Sequence, residues 1–261
     1  MSGRERIRGE GLSYTYLTRA GETLALKGLE LSVRDGEFCS IVGPSGCGKS
    51  TLLGLISGLL RPTEGAIRLD GAPIAGPSPR VGLLLQKDHL FDWRTVLQNA
   101  ELGLEIQGKG TAEARRQAHA LLQAYGLGGF EQAYPCELSG GMRQRVALVR
   151  TLATDPDVLL LDEPFSALDY QTKLLLERDV HRIIRDNGKT ALLVTHDIEE
   201  AVSMSDRVIV LSGRPAQVRN VYEIELTLSG ARDPLSARDA PEFRSYCKAI
   251  WQDLDVEHSS L

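Results

Sequence analysis

Two short segments, Val158-Leu159-Leu160-Leu161 and Ala191-Leu192-Leu193-Val194, are apolar at every position, with no polar alternation. A strand with one face in water alternates apolar and polar residues, so unbroken runs between polar breaks point to strands buried on both faces, as in a parallel sheet covered by helices. Strands are expected over 37–42, 157–162, 190–195 and 207–211, interleaved with helical patterns as crossover connections require. Leu176, Val180, Ile183 and Ile184 recur at helical spacing and run into Asn187-Gly188, a good left-handed stop. A second stripe, Ala114, Ala118, Leu121, Leu122 and Tyr125, ends at Gly126. Asp197 with Glu200 reads as a capping box opening a short helix. From about 86 to 154 strand signals fade, which predicts a helical insert carried by the sheet. After about Gly230 the chain is polar and proline-broken until an amphipathic stretch near 243–254, expected to be a tail helix.

The 261 residues suffice for a substantial core, and 42% hydrophobic with 25% charged residues is ordinary for a globular domain. A net charge of -5 argues against broad binding to nucleic acid, which needs a basic footprint. The first ten residues lack the apolar stretch of a signal peptide, and no apolar run approaches the roughly 20 residues of a membrane helix. The expectation is a cytoplasmic protein that does not span a bilayer. Cys39, Cys47, Cys136 and Cys247 form no C-x-x-C pair and read as core or incidental thiols, in keeping with a reducing compartment.

Gly43-Pro44-Ser45-Gly46-Cys47-Gly48-Lys49-Ser50 matches the phosphate-binding P-loop and stands where that chemistry requires, after an expected strand and before a helical run over 51–60 that opens with Thr51. Glycines let backbone N–H groups turn toward phosphates, the helix start adds a favourable dipole, and Lys49 supplies a point charge to the β and γ phosphates. Ser50 is then placed to ligate Mg²⁺. Downstream, the apolar run 158–161 ends in Asp162 and Glu163: the first acid can hold the metal, the second can reach an attacking water. Alone, an Asp-Glu pair before Pro164 also describes a solvated turn; coupled to the P-loop it gains force. Leu138-Ser139-Gly140-Gly141-Met142-Arg143-Gln144-Arg145 repeats the same physics, with a serine and two glycines opening a helical run over 142–153 and offering backbone N–H groups to an anion.

This last segment, beside the two acids and the P-loop, resembles the signature motif of ATP-binding-cassette (ABC) ATPases. Other landmarks of that family fall in order. Gln86 resembles the Q-loop glutamine, a metal and water contact; Ser166-Ala167-Leu168-Asp169 resembles the D-loop; Thr195-His196-Asp197 resembles the H-loop. Tyr16 aligns with the aromatic that stacks on adenine, with Tyr14 as the competing choice. The resemblance spans about residues 5–220. It implies an α/β P-loop NTPase fold with a mainly parallel core sheet, an N-terminal antiparallel β portion and a helical signature subdomain at about 87–155, all within an ATPase domain at 1–230, followed by a tail at 231–261. It implies that two copies pack head to tail, each ATP lying between one P-loop and the partner's Ser139, Gly140 and Gly141. Gly43 to Thr51 and Asp162 then hold ATP; Ser50, Gln86 and Asp162 hold Mg²⁺; Glu163 is the general base, and His196 steadies the transferred phosphoryl group.

Phe91-Asp92-Trp93-Arg94-Thr95-Val96 and the stretch 163–172 resemble the nitrate, sulfonate and taurine importer group, although that group often has proline where Asp92 stands and a polar residue where Cys136 stands. The implied partners are an integral-membrane permease and, indirectly, a solute-binding protein, with the subunit peripheral on the inner face of the cell membrane. The region 88–98, with Leu90, Phe91 and Trp93 as apolar anchors, is the expected permease groove; core packing of those residues is the competing reading. A non-transport ABC ATPase of the iron–sulfur assembly type and an ATP-binding regulatory scaffold are the alternative functions.

Overall fold

In the computed structural model, which describes residues 4–19, 21–166 and 168–255, the chain opens on a long antiparallel hairpin of β1 (Glu5–Thr18) and β2 (Gly21–Arg34). There follow β3 (Phe38–Val42), α1 (Lys49–Ile56), β4 (Glu64–Leu69), the two-residue β5 (Ala72–Pro73) and β6 (Val81–Leu84). Three helices come next: α2 (Val96–Ile106), α3 (Ala112–Ala124) and α4 (Gly140–Leu152). The remainder is β7 (Val158–Asp162), α5 (Tyr170–Asp186), β8 (Thr190–Thr195), α6 (Ile198–Met204), β9 (Arg207–Leu211), β10 (Val218–Glu223), α7 (Pro234–Ala237) and α8 (Phe243–Asp255).

The strands form two sheets. β2-β1-β4-β5 is antiparallel; β10-β9-β3-β8-β7-β6 is parallel except for its edge strand β10. Alternate residues of the unbroken apolar runs serve different cores. Val158, Leu160, Leu192 and Val194 meet Leu52, Leu53, Leu55 and Ile56 of α1, which is roofed by Ile7, Leu12 and Leu26 of the hairpin. Leu159, Leu161, Ala191 and Leu193 pack on the other face against residues of α2, α4 and α5. That two-sided burial is the reason the polar alternation is missing. A third cluster joins Val42, Val208 and Val210 to α6 and to Phe243 and Ile250 of α8.

Several expectations shift at element ends. The first parallel strand starts at Phe38, because Glu37 is taken up by Arg207 at 2.8 Å and by the Arg34 N–H at 2.6 Å. The helix after the P-loop begins at Lys49 and stops at Ile56, short of residue 60, where the Leu60 N–H returns to the Gly54 carbonyl and closes the turn. Asp197 does cap α6, accepting from the Glu200 N–H at 3.1 Å, but Glu200 turns its carboxylate to Lys173 at 2.7 Å. The reciprocal half of the capping box gives way to that ion pair.

Candidate functional site

The parallel strands β3, β8, β7 and β6 lie side by side, and their carboxyl ends deliver Gly43, His196, Asp162 with Glu163, and Gln86 to one edge of the sheet. This edge is where ligands of open α/β sheets bind. The loop 43–48 then turns into α1. Gly48 adopts φ 129°, and a Cβ there would stand 2.9 Å from Leu26 Cδ2 and 3.1 Å from the Ala25 carbonyl, so only glycine fits. No side chain caps α1, which leaves its first N–H groups for an anion seated in the loop. Lys49, 7% exposed, donates to the Gly43 and Pro44 carbonyls at 2.8 and 2.9 Å. Arg214 donates to the Gly46 carbonyl from the far side at 2.9 Å.

Ser50 Oγ donates to Asp162 Oδ1 at 3.3 Å. Burial pushes the Asp162 carboxyl above the ordinary range, with the Ser50 hydroxyl and Lys49 pulling the other way. Glu163 takes φ 46°, unusual for a residue with a side chain, and its N–H is held by the Val194 carbonyl at 2.9 Å. Its Oε2 lies 3.0 Å from His196 Nδ1 and 3.4 Å from Gln86 Nε2, and Gln86 also reaches Ser166 Oγ at 3.3 Å. A cavity of about 220 Å³ lies against Glu163, Ser166, Thr195 and His196. Hydroxyl, carboxylates, amide and imidazole thus converge beside the phosphate loop, a set that can hold a hard metal–phosphate complex and take a proton from water.

Tyr16 Oη sits 3.0 Å from Thr51 Oγ1, and its ring is partly exposed. Tyr14 packs edge-on against it at 4.8 Å and leans into the core. Ser139 caps α4, accepting from the Met142 N–H at 3.3 Å, and Gly140 and Gly141 form the first turn. A Cβ on Gly141 would stand 2.9 Å from Thr172 Cγ2. Among the described residues no hydrogen bond or ion pair joins 139–141 to the cluster around Lys49 and Glu163. Ala167, inside the D-loop resemblance, lies outside the described residues.

Of the expected apolar anchors in 88–98, Leu90 is buried in the core, whereas Trp93 is 73% exposed with Phe91 stacked on it at 4.8 Å. Cys39 and Cys47 are buried, Cys136 is exposed, and no two of the four cysteines form a disulfide. Sequence reasoning missed Arg214, Trp251 and Leu254. The last two belong to α8 and line a cavity of about 210 Å³ with Gly43, Pro44, Ser45 and His196. It also missed Lys173 and Glu200, which face the cavity beside Glu163. None carries a local signal, because each reaches the site through long-range packing.

A family model described as ABC transporter matches residues 26–166. The uncharacterized ABC transporter ATP-binding protein YtlC of Bacillus subtilis is 44% identical over 244 residues, covering 94% of this chain and 94% of that protein. The nitrate import ATP-binding protein NrtD of Synechocystis sp. is 43% identical over 244 residues, 92% of this chain and 91% of its own length. The taurine import ATP-binding protein TauB of Jannaschia sp. is 39% identical over 228 residues, 87% and 85% respectively. Among solved structures, a dimeric post-hydrolysis state of the ATP-binding cassette MJ0796 bound to ADP and Pi superposes with a TM-score of 0.75 at 32% identity, covering 84% of this chain and 99% of that one. With the P-loop, the paired acids and the glycine-opened helix in the same fold, the chain belongs to the ABC transporter family and is one of its ATPases.

Proposed function

We propose that this chain is the ATPase of an importer: two copies pair head to tail beneath a separate membrane permease and couple ATP binding and hydrolysis to uptake of a small anion or organic solute of the nitrate, sulfonate or taurine kind. The observation that carries this reading is that the chain offers two anion-accepting helix starts, α1 at Lys49 and α4 at Ser139, with no bond between them. A second copy brings its own Ser139, Gly140 and Gly141 over the γ-phosphate held at Lys49, so one triphosphate is grasped from both sides. The import names of the NrtD and TauB relatives support the transport role. Among the described residues no helix is long and apolar enough to cross a membrane, in keeping with a pore on other chains.

In this reading residues 1–230 form the ATPase domain, with a helical subdomain at about 87–155 and a tail at 231–261. Tyr16 stacks on adenine, the N–H groups of 45–51 hold the phosphates, and Lys49 exchanges its two carbonyl partners for phosphate oxygens. Ser50, Asp162 and Gln86 would be the oxygen donors for Mg²⁺, the Ser50 hydroxyl already lying 3.3 Å from Asp162 Oδ1. Held by these residues, the ion would neutralise charge on the β and γ phosphates. Glu163 accepts a proton from the attacking water, whose oxygen bonds to the γ-phosphorus as the bond to the β–γ bridging oxygen breaks, giving ADP and phosphate. His196, held to Glu163, steadies the transferred group. The stack of half-buried Phe91 on exposed Trp93 and the cavity of about 460 Å³ beside it, lined by Trp93, Arg94, Glu101, Leu104, Glu105 and Arg115, receive a permease helix that offers apolar and charged residues together. The subunit works on the cytoplasmic side, peripheral to the membrane, and meets a solute-binding protein only through the permease.

The test uses Glu163→Gln, with light scattering and turnover measured in ATP and Mg²⁺. Without its general base the variant loses hydrolysis by about two to four orders of magnitude and accumulates as an ATP-bound dimer. Adding Gly141→Asp places a carboxylate where the partner's γ-phosphate must sit and returns it to monomer. A dimer untouched by Gly141→Asp, or normal turnover in Glu163→Gln, overturns the reading.

A further inference from the structure

The segment after β10 enters the site through one arginine. Arg238, just beyond α7, reaches Glu177 of α5 at 2.9 Å and Glu199 of α6 at 2.8 Å. Glu177 is fully buried, and one helical turn before it stands Lys173, 3.8 Å from Glu177, 2.7 Å from Glu200 and 2.7 Å from Asp197. Asp197 follows His196 directly; its N–H is held by Thr195 Oγ1 at 3.0 Å, and its carboxylate caps α6 at 3.1 Å. Lys173 and Glu200 form the wall of the cavity whose other side is Glu163, Ser166 and His196. An unbroken chain of charge contacts therefore runs from the tail, through α5, to the turn that aims the imidazole.

The electrostatics make the tail cation necessary to this chain. Among the described residues, Glu177, Asp197, Glu199 and Glu200 pair with only two cations, Lys173 and Arg238. Without Arg238 a single ammonium would have to hold the buried carboxylates, and Lys173 would be drawn toward Glu177 and away from Asp197. A buried ion left without its partner is costly, so the side chains would rearrange rather than stay. Burial already pushes Glu177 above the ordinary carboxylate range, with Arg238 the foremost influence pulling it down.

We propose that Arg238 is a positioning residue for ATP hydrolysis: through Glu177 and Lys173 it fixes Asp197, and so the turn between β8 and α6 on which His196 sits. This rests on the reading of Glu163 and His196 as the hydrolytic pair.

The experiment compares Arg238→Met, Arg238→Lys and the charge-neutral pair Arg238→Met with Glu177→Leu, measuring kcat and KM for ATP, melting temperature, and the ¹⁵N shifts of the His196 imidazole. Arg238→Met lowers kcat by on the order of tenfold to a hundredfold with KM nearly unchanged, because the phosphate loop is untouched while the imidazole is misplaced. Arg238→Lys recovers part of the loss. The double variant removes the orphaned carboxylate and leaves Lys173 to Asp197, so it regains melting temperature, kcat and the parental His196 shifts together. If Arg238→Met lowers the melting temperature while kcat and the His196 shifts, read well below that temperature, stay parental, Arg238 is only structural and the proposal fails. Should the single variant not fold, the double variant decides: a stable double variant with low kcat and displaced shifts means that Glu177 and Lys173 do not carry the effect, and the proposal fails. Glu163→Gln, run in parallel, separates the two claims: unimpaired turnover there brings down the underlying reading, whereas its loss beside a fully active Arg238→Met variant brings down this one alone.

Discussion

At Glu163 the chain leaves β7 in a left-handed turn, with φ 46°, and the Val194 carbonyl pins the N–H. Such a conformation disfavours a residue with a Cβ, and it swings the carboxylate away from the sheet axis and onto His196 and Gln86. The neighbouring Asp162 stays in line with the strand and meets Ser50. Two adjacent acids thus face two different tasks because the backbone turns between them. The same scale distinguishes the two candidates for the base-stacking residue. Tyr16 is tethered by its hydroxyl to Thr51, two residues past Lys49, and leaves its ring partly open, whereas Tyr14 spends its ring on the core. Tyr16→Ala is therefore expected to weaken ATP binding by roughly tenfold, since loss of one ring–base stack costs about 1–3 kcal/mol by analogy with base–aromatic platforms. Tyr14→Ala lowers the melting temperature and leaves affinity nearly intact. Fluorescence titration with a labelled ATP on both variants checks this; equal affinity losses would reassign the stack.

At the scale of elements, α5 links the site to the back of the sheet. Its front end, capped by Asp169, carries Lys173 toward His196; its rear carries His181, 2% exposed, onto Phe38 of β3 at 5.6 Å between ring centroids. His181 Nε2 accepts from Arg185 Nε at 3.4 Å, so the ring is neutral in the fold. Burial is the largest cause that pushes its pKa down to about 4, with Arg185 and Arg232 adding to it against Asp206 and Asp233. The unfolded chain binds a proton at His181 below its ordinary pKa of about 6.5, while the folded chain resists until about 4, so stability is full above 6.5 and is lost as pH falls through that window. The contribution amounts to about 3 kcal/mol across the window. Urea midpoints at pH 7.5 and 5 are expected to fall steeply for the parent chain and more gently for His181→Gln; identical pH slopes would mean that another group governs acid sensitivity. The difference between α5 and the P-loop also explains what the sequence made legible. Residues 43–50 carry their chemistry contiguously, and the strands at Thr190–Thr195 and Arg207–Leu211 declare themselves by composition. Lys173 and Arg238 look like ordinary surface charges and Glu200 like a capping residue, because their meaning comes from contacts between α5, α6 and the tail that only folding creates. Leu90 stayed open between groove anchor and core for the converse reason: an apolar residue among exposed ones gives no local sign that it turns inward.

On the proposed reading, a complete ATPase site needs more than one copy. One sheet edge gathers the phosphate loop, the acids, Gln86 and His196, and the helical insert presents Ser139 at a helix start of its own. A C₂ pairing would let each surface serve its partner, so one interface would close two sites at once. Nucleotide held mainly at that interface would stabilise the dimer by mass action, and dilution would favour open, inactive monomers. At low concentration, where dimers are scarce, the dimer concentration would rise with the square of the protein concentration, and the active fraction in proportion to the protein concentration itself. The steady-state rate per milligram is thus expected to climb with concentration and then to level off as dimers saturate. A permanently linked tandem of two chains should remove the climb, because the effective concentration of a flexibly tethered partner is of millimolar order. The measurement is phosphate release over a dilution series at saturating ATP, for the single chain and the tandem. A specific rate that is flat for the single chain, with only monomer seen by light scattering during turnover, would mean that one copy hydrolyses alone and that Ser139, Gly140 and Gly141 serve something other than the γ-phosphate.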